Sequence, residues 1–135
     1  MKYLLDTNIC IYALKNKYSS LTRKLFCIHP DEIAISAITV SELEYGAAKS
    51  KWGEQTRLRM HMFLSAFTIL SFSEQDAMIA GQIRAFLEQK GTIIGPYDIL
   101  IAAQGVSRDL TVVTHNTKEF IRVPQIRLED WVEES

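Results

Sequence analysis

Cysteine is scarce. Cys10 and Cys27 are the only two among 135 residues, too few for a disulfide framework, and no Cys/His spacing suits zinc. The three prolines and six glycines are scattered as punctuation. No linker, repeat or low-complexity stretch divides the chain, so residues 1–135 are expected to form a single domain. No apolar run approaches the ~20 residues that cross a bilayer. The opening Met-Lys-Tyr-Leu-Leu-Asp lacks the apolar core and small-residue cleavage site of a secretion signal. A cytoplasmic, reducing compartment with no membrane association is the expectation. An excess of charge of one sign is also missing: the formal balance is −1, which argues against a protein that coats nucleic acid by bulk charge.

What is present suits a globular domain. Hydrophobic residues make up 47% and charged residues 23%, and a chain of this length buries roughly two thirds of its unfolded surface without a covalent staple. Charge is patterned locally. Lys15, Lys17, Arg23 and Lys24 have no acid among them, Lys49, Lys51, Arg57 and Arg59 face only Glu54, and the stretch from Glu129 to Glu134 holds four acids and no base. Such runs read either as solvated helix faces or as tracks for a polyanion.

Short apolar runs alternate with helical patterns. Strands are expected at Lys2–Asp6, Ile33–Ile35, Thr68–Leu70, Leu110–Thr114 and near Ile126–Leu128. Between them helices are expected from an Asn8 cap to Leu14, from Ser20 to Ile28, from Thr39 to Ser50, over 54–67, from Ser73 to a stop at Gly91, from Pro96 through Ala103, and from Thr117. This alternation predicts an α/β fold, a mostly parallel sheet covered on both faces. Ligands of such sheets bind beyond the carboxyl ends of the strands, which directs attention to Asp6 and to Thr114–Glu119.

Four acids merit weighing, each against a structural reading. Asp6 ends a strand, where it either caps the next helix or binds something. Thr39-Val40-Ser41-Glu42 has the spacing of a capping box, and Glu44 lies about 200° away round the same helix. Asp98 sits in the first turn of a helix whose next five residues are all apolar. Asn116 reads as a helix cap and Glu119 as its dipole partner. Joint placement changes the balance. Several carboxylates converging on one edge repel one another, and a hard divalent cation with oxygen ligands is the main physical reason to gather them.

The motifs resemble those of PIN-domain ribonucleases, and more narrowly of VapC toxins from bacterial VapBC toxin–antitoxin pairs. Leu4-Leu5-Asp6-Thr7-Asn8 is matched by Thr39-Val40-Ser41-Glu42-Leu43 with Tyr45-Gly46-Ala47, by Gly95-Pro96-Tyr97-Asp98 with Ile101-Ala102, and by Val113 to Phe120 with the closing Glu129-Asp130-Trp131. The resemblance spans residues 1 to about 131. It implies a three-layer α/β/α sandwich and a Mg²⁺-dependent endoribonuclease, with Mn²⁺ as a substitute. By position, Asp6 and Asp98 match the metal-binding aspartates and Glu42 the second acid. Asn116 stands where relatives often carry aspartate, so either Glu119 or a water held by Asn116 completes the site. Thr7, Asn8, Thr114 and Asn116 match supporting polar positions that orient carboxylates or contact substrate. The same resemblance implies a VapB-type antitoxin partner, a homodimer, and an RNA substrate such as initiator tRNA.

Rival readings remain. An aspartyl-nucleophile phosphatase needs a second Asp where Asn8 stands. A PIN-like binding module without catalysis predicts a missing acid, and a nuclease acting on DNA shares the same motifs. Trp52, Trp131, Tyr3, Tyr12 and the phenylalanines are expected to pack in the core or an interface; Tyr45 and Tyr97, one step from key motifs, are the candidates for base stacking.

Overall fold

The computed structural model describes residues 1–133. The first strand, β1 (Tyr3–Leu5), leads through Asp6 into α1 (Thr7–Leu14) and α2 (Ser19–Cys27). A short 3-10 turn (Pro30–Glu32) precedes β2 (Ile33–Ser36), followed by α3 (Ala37–Lys49), α4 (Gly53–Leu64) and β3 (Thr68–Leu70). The chain continues through α5 (Glu74–Lys90), α6 (Pro96–Ser107), β4 (Thr111–Val113), α7 (Thr117–Phe120) and β5 (Arg127–Glu129).

All strand pairs are parallel, in the order β3-β2-β1-β4-β5, with Tyr3 opposite Ile33 on one side and Thr111 on the other. Parallel strands need crossover helices, which cover both faces. The pleat alternates side chains between those faces. Leu4, Ala34 and Val112 pack with α5 and α6, whereas Leu5, Ile33, Ile35 and Val113 pack with α1 to α4. The result is the expected three-layer α/β/α sandwich.

Several local expectations shift. Asp6, not Asn8, caps α1: its carboxylate accepts the Ile9 N–H at 2.8 Å, and Asn8 is exposed in the first turn. Helix α3 starts at Ala37, capped by the Ser36 hydroxyl. Thr39 and Glu42 therefore form no capping box. Asn116 precedes α7 without a side-chain cap bond. Helix α4 ends at Leu64 rather than at 67. The stops and starts at Ser73, Gly91 and Pro96 stand where expected, and Ser73 and Asp76 make a reciprocal capping box.

Aromatic packing is mixed. Tyr3 and Trp131 meet edge to face at 5.0 Å between ring centres, as expected of core residues. Trp52 does not pack: it is 62% exposed, and Phe26 is 87% exposed. Neither belongs to either apolar layer, so of the expected core or interface roles only an interface is open to them.

Candidate active site

The strand order reverses direction between β1 and β4, which opens a crevice at their carboxyl ends. Asp6 stands in that crevice. Its N–H donates to the Val113 carbonyl at 3.0 Å, extending the β1–β4 ladder by one residue, and its side chain is only 3% exposed. Burial pushes the Asp6 carboxyl up to about 6, against hydrogen bonds from the Thr114 hydroxyl and the Ile9 N–H, and with further upward pressure from Asp98 and Glu42.

Glu42 comes from the second turn of α3. The buried Thr7 hydroxyl donates to its Oε1 at 2.6 Å and lies 3.0 Å from the Thr39 hydroxyl. This short, charge-assisted bond joins α1 to α3. Asp98 enters from the first turn of α6 and is half-buried. Its carboxyl is also pushed up, by burial first and then by the charges of Glu42 and Glu119. Glycine at 95 leaves room for it: a Cβ there would meet Asp98 Oδ2 at 3.3 Å.

After β4, Thr114 is fully buried and its Oγ1 accepts the Asn116 N–H at 3.0 Å. The Asn116 amide donates to Glu119 Oε2 at 2.6 Å. Asn116 thus holds an acid instead of capping the helix. Nearby, His115 Nδ1 lies 2.9 Å from Asp130 Oδ2 and its ring approaches Tyr12 and Tyr18.

Acids from four segments therefore sense one another at one edge. Asp6 couples to Asp98 and Glu42, and Asp98 couples to Glu42 and Glu119. Thr7, Thr114 and Asn116 hold three of them in place, while Asn8 stays on the exposed side of α1. Thr39 is the residue that sequence reasoning misplaced: its hydroxyl belongs to the acid-holding network. A polar residue one helical turn before Glu42 was the available signal, and the capping-box spacing disguised it.

Among the described residues, no three His, Cys, Asp or Glu side chains form a ready-made metal cage. The donor set nevertheless fits a cation that keeps most of its waters and takes one or two carboxylates. Two raised carboxyls are the sign of that fit, because a cation would relieve both their burial and their mutual repulsion. The larger grooves, of about 390, 410 and 550 Å³, are lined by other residues.

A parallel α/β sheet with acids gathered at its switch point has donor chemistry compatible with metal-assisted hydrolysis. Comparison with known proteins names the class. The PIN domain profile matches residues 3–126. The tRNA(fMet)-specific endonuclease VapC of Salmonella typhimurium is 46% identical over 131 residues, covering 97% of this chain and 98% of that one. Ribonuclease VapC2 of Rickettsia felis is 44% identical over 132 residues, with coverage of 97% and 98%. The crystal structure of DNA-bound VapBC from Salmonella typhimurium superposes with a TM-score of 0.92 at 46% identity, over 97% of this chain and 98% of that chain. The chain belongs to the PIN-domain family, within its VapC ribonucleases. It is a nuclease, of a family that works with divalent metal.

Proposed function

We propose that residues 1–135 act as one cytoplasmic PIN domain, an endoribonuclease toxin that hydrolyses RNA phosphodiester bonds with Mg²⁺, or Mn²⁺ in its place. Asp6 and Asp98 hold the cation. Glu42 and Glu119 complete the acidic set, and Thr7, Thr114 and Asn116 position the carboxylates, with Asn8 facing the substrate side. One observation carries the reading: Asp6 at the end of β1 and acids from α3, α6 and α7 come together at one sheet edge, where burial first, and then their mutual charge, raises Asp6 and Asp98 above the usual carboxylate range.

The chemistry a divalent cation supplies there, when bound, is charge neutralisation and polarisation of the scissile phosphate. The chain's own residues do the rest. Asp6 is held by Thr114 and by the Ile9 N–H, so its carboxylate is fixed before substrate arrives. Thr7 fixes Glu42 through Oε1, and Asn116 fixes Glu119 through Oε2. A carboxylate so oriented can accept a proton from the attacking water and keep it in line with the phosphate. This assigns the fourth acid to Glu119 and makes Asn116 its holder.

Initiator tRNA is the proposed substrate, because two relatives at 46% and 43% identity carry the name tRNA(fMet)-specific endonuclease. A VapB antitoxin is the proposed neutralising partner, since the similar solved structures are VapBC complexes, and a homodimer is the proposed assembly. The test offers purified protein an initiator tRNA transcript and duplex DNA, with Mg²⁺ and with EDTA. Cleavage of the tRNA alone, abolished by EDTA and in Asp6→Asn and Asp98→Asn, is expected. Cleavage of DNA instead, or full activity in either variant, refutes the assignment.

A further inference from the structure

Helix α3 carries Glu42 into the acidic site and then runs on, and it and the turn that follows hold two large exposed rings. Tyr45 is 66% exposed even with the Lys49 ammonium 4.8 Å from its ring centre. Just past the helix end, Trp52 is 62% exposed with the Lys51 ammonium 5.6 Å from its ring. Helical geometry puts Tyr45 within about 60° of Glu42 and about 4.5 Å further along the axis; Lys49 lies within about 20° and about 10.5 Å along. Glu42, Tyr45 and Lys49 therefore share one face, with Tyr45 one turn from the acid.

A lone exposed ring needs no explanation. Here a ring-and-lysine pair occurs twice in succession, once on the helix that supplies a site acid and once in the turn just after it, in a segment where Lys49, Lys51 and Arg59 outnumber Glu54. Glu44, the other acid of α3, is already occupied by Arg57 Nε at 2.6 Å. Exposed rings flanked by cations are the chemistry of single-strand recognition, in which bases stack on rings and ammonium groups meet phosphates. Resting on the ribonuclease site above, we propose that Tyr45 and Lys49 form a nucleotide platform for the single-stranded RNA next to the cleaved bond, continued outward by Lys51 and Trp52. Tyr45 stacks one base; Lys49 contacts the backbone. Stacking of this kind tolerates any base, so the platform sets register and affinity rather than sequence.

The experiment measures cleavage of an initiator tRNA transcript in Mg²⁺, and binding of the same RNA in the Asp98→Asn background. Tyr45→Ala is expected to weaken binding between about 5- and 150-fold and to raise KM with kcat nearly unchanged. Tyr45→Phe keeps the ring and restores both. Lys49→Ala lowers the slope of log affinity against log salt by about 0.7, the loss of one single-strand phosphate contact. Unchanged RNA affinity and KM in Tyr45→Ala overturn the platform. If that variant instead loses binding to an antitoxin or to a second copy, the face is a protein interface. A parent protein that neither binds nor cuts RNA refutes the ribonuclease site itself.

Discussion

Asp6 serves two ends with one carboxylate: it caps α1 through the Ile9 N–H and presents an acid to the crevice. The cap explains how the acid survives burial, and burial explains its raised pKa of about 6. The sign of the consequence follows by linkage. Between the ordinary carboxylate pKa and about 6, the folded metal-free chain holds this proton more tightly than the unfolded chain does, so stability falls as pH rises through that window. The loss is on the order of 3 kcal/mol once pH exceeds 6. Metal-free Asp6→Asn is therefore expected to be more stable than the parent at pH 8 by up to about that amount, with the difference vanishing near pH 4. Urea unfolding in EDTA at both values measures it, and added Mg²⁺ should stabilise the parent alone. A variant destabilised at both pH values would show that Asp6 is a structural cap with no strained charge. At Thr7, removal of the hydroxyl that holds Glu42 is expected to lower activity about 10- to 100-fold with the fold intact. Steady-state kinetics of Thr7→Val, beside its circular dichroism, checks this.

Helices set these side chains, and their packing was only partly readable in the sequence. The capping boxes show why. Ser73 and Asp76 make a real one, whereas Thr39 and Glu42 have the same spacing but sit inside α3, because Ser36 on the end of β2 captures the helix start. Spacing alone does not tell them apart; the strand's end point does. Helix α6, which carries Asp98, packs closely on β4 at Gly105: a Cβ at 105 would fall 2.4 Å from Val112 Cγ2. Gly105→Ala is expected to cost about 1–3 kcal/mol in chemical denaturation and to impair cleavage by displacing α6. Helices α5 and α6 are joined by Asp76, fully buried, which Arg108 Nη2 meets at 3.1 Å and Gln104 Nε2 at 3.3 Å. Burial would raise this carboxyl, but bonds from Arg108, Ser73, Ser107 and Gln104 prevail and draw it down to about 2. Stability from this group is thus present above the ordinary carboxylate pKa and lost as pH falls through about 2. Arg108→Ala is expected to destabilise by about 2–3 kcal/mol at neutral pH, leaving a buried charge unpaired.

At the scale of the molecule, the alternation of short apolar runs and helical patterns was enough to read the parallel sheet and its two covering layers. The strand positions at Tyr3–Leu5 and Thr68–Leu70 were legible because β-branched or aliphatic runs ended in polar punctuation. The gathering of Asp6, Glu42, Asp98 and Glu119 was legible only as a crowd of acids at helix starts, strengthened by family resemblance. The pairing of Asn116 with Glu119 was not, since a 2.6 Å bond between two side chains leaves no trace in spacing. Nor was the exposure of Trp52, because large apolar side chains read as core unless the turn that carries them is known. Near-neutral overall charge fits a nuclease whose acidic edge is offset by basic residues along α3 and α4, so that RNA approaches by local rather than bulk attraction.

The central claim is that Asp6 and Asp98, within this acidic set, hold a cation between them. Crystals of the wild-type chain grown with Mn²⁺ and measured at the manganese absorption edge test it most directly. An anomalous peak is predicted within coordination distance of both Asp6 and Asp98 carboxylates, absent from Asp98→Asn crystals. A peak bound elsewhere, or none at the carboxyl end of β1 in a protein that still cuts RNA, would contradict it.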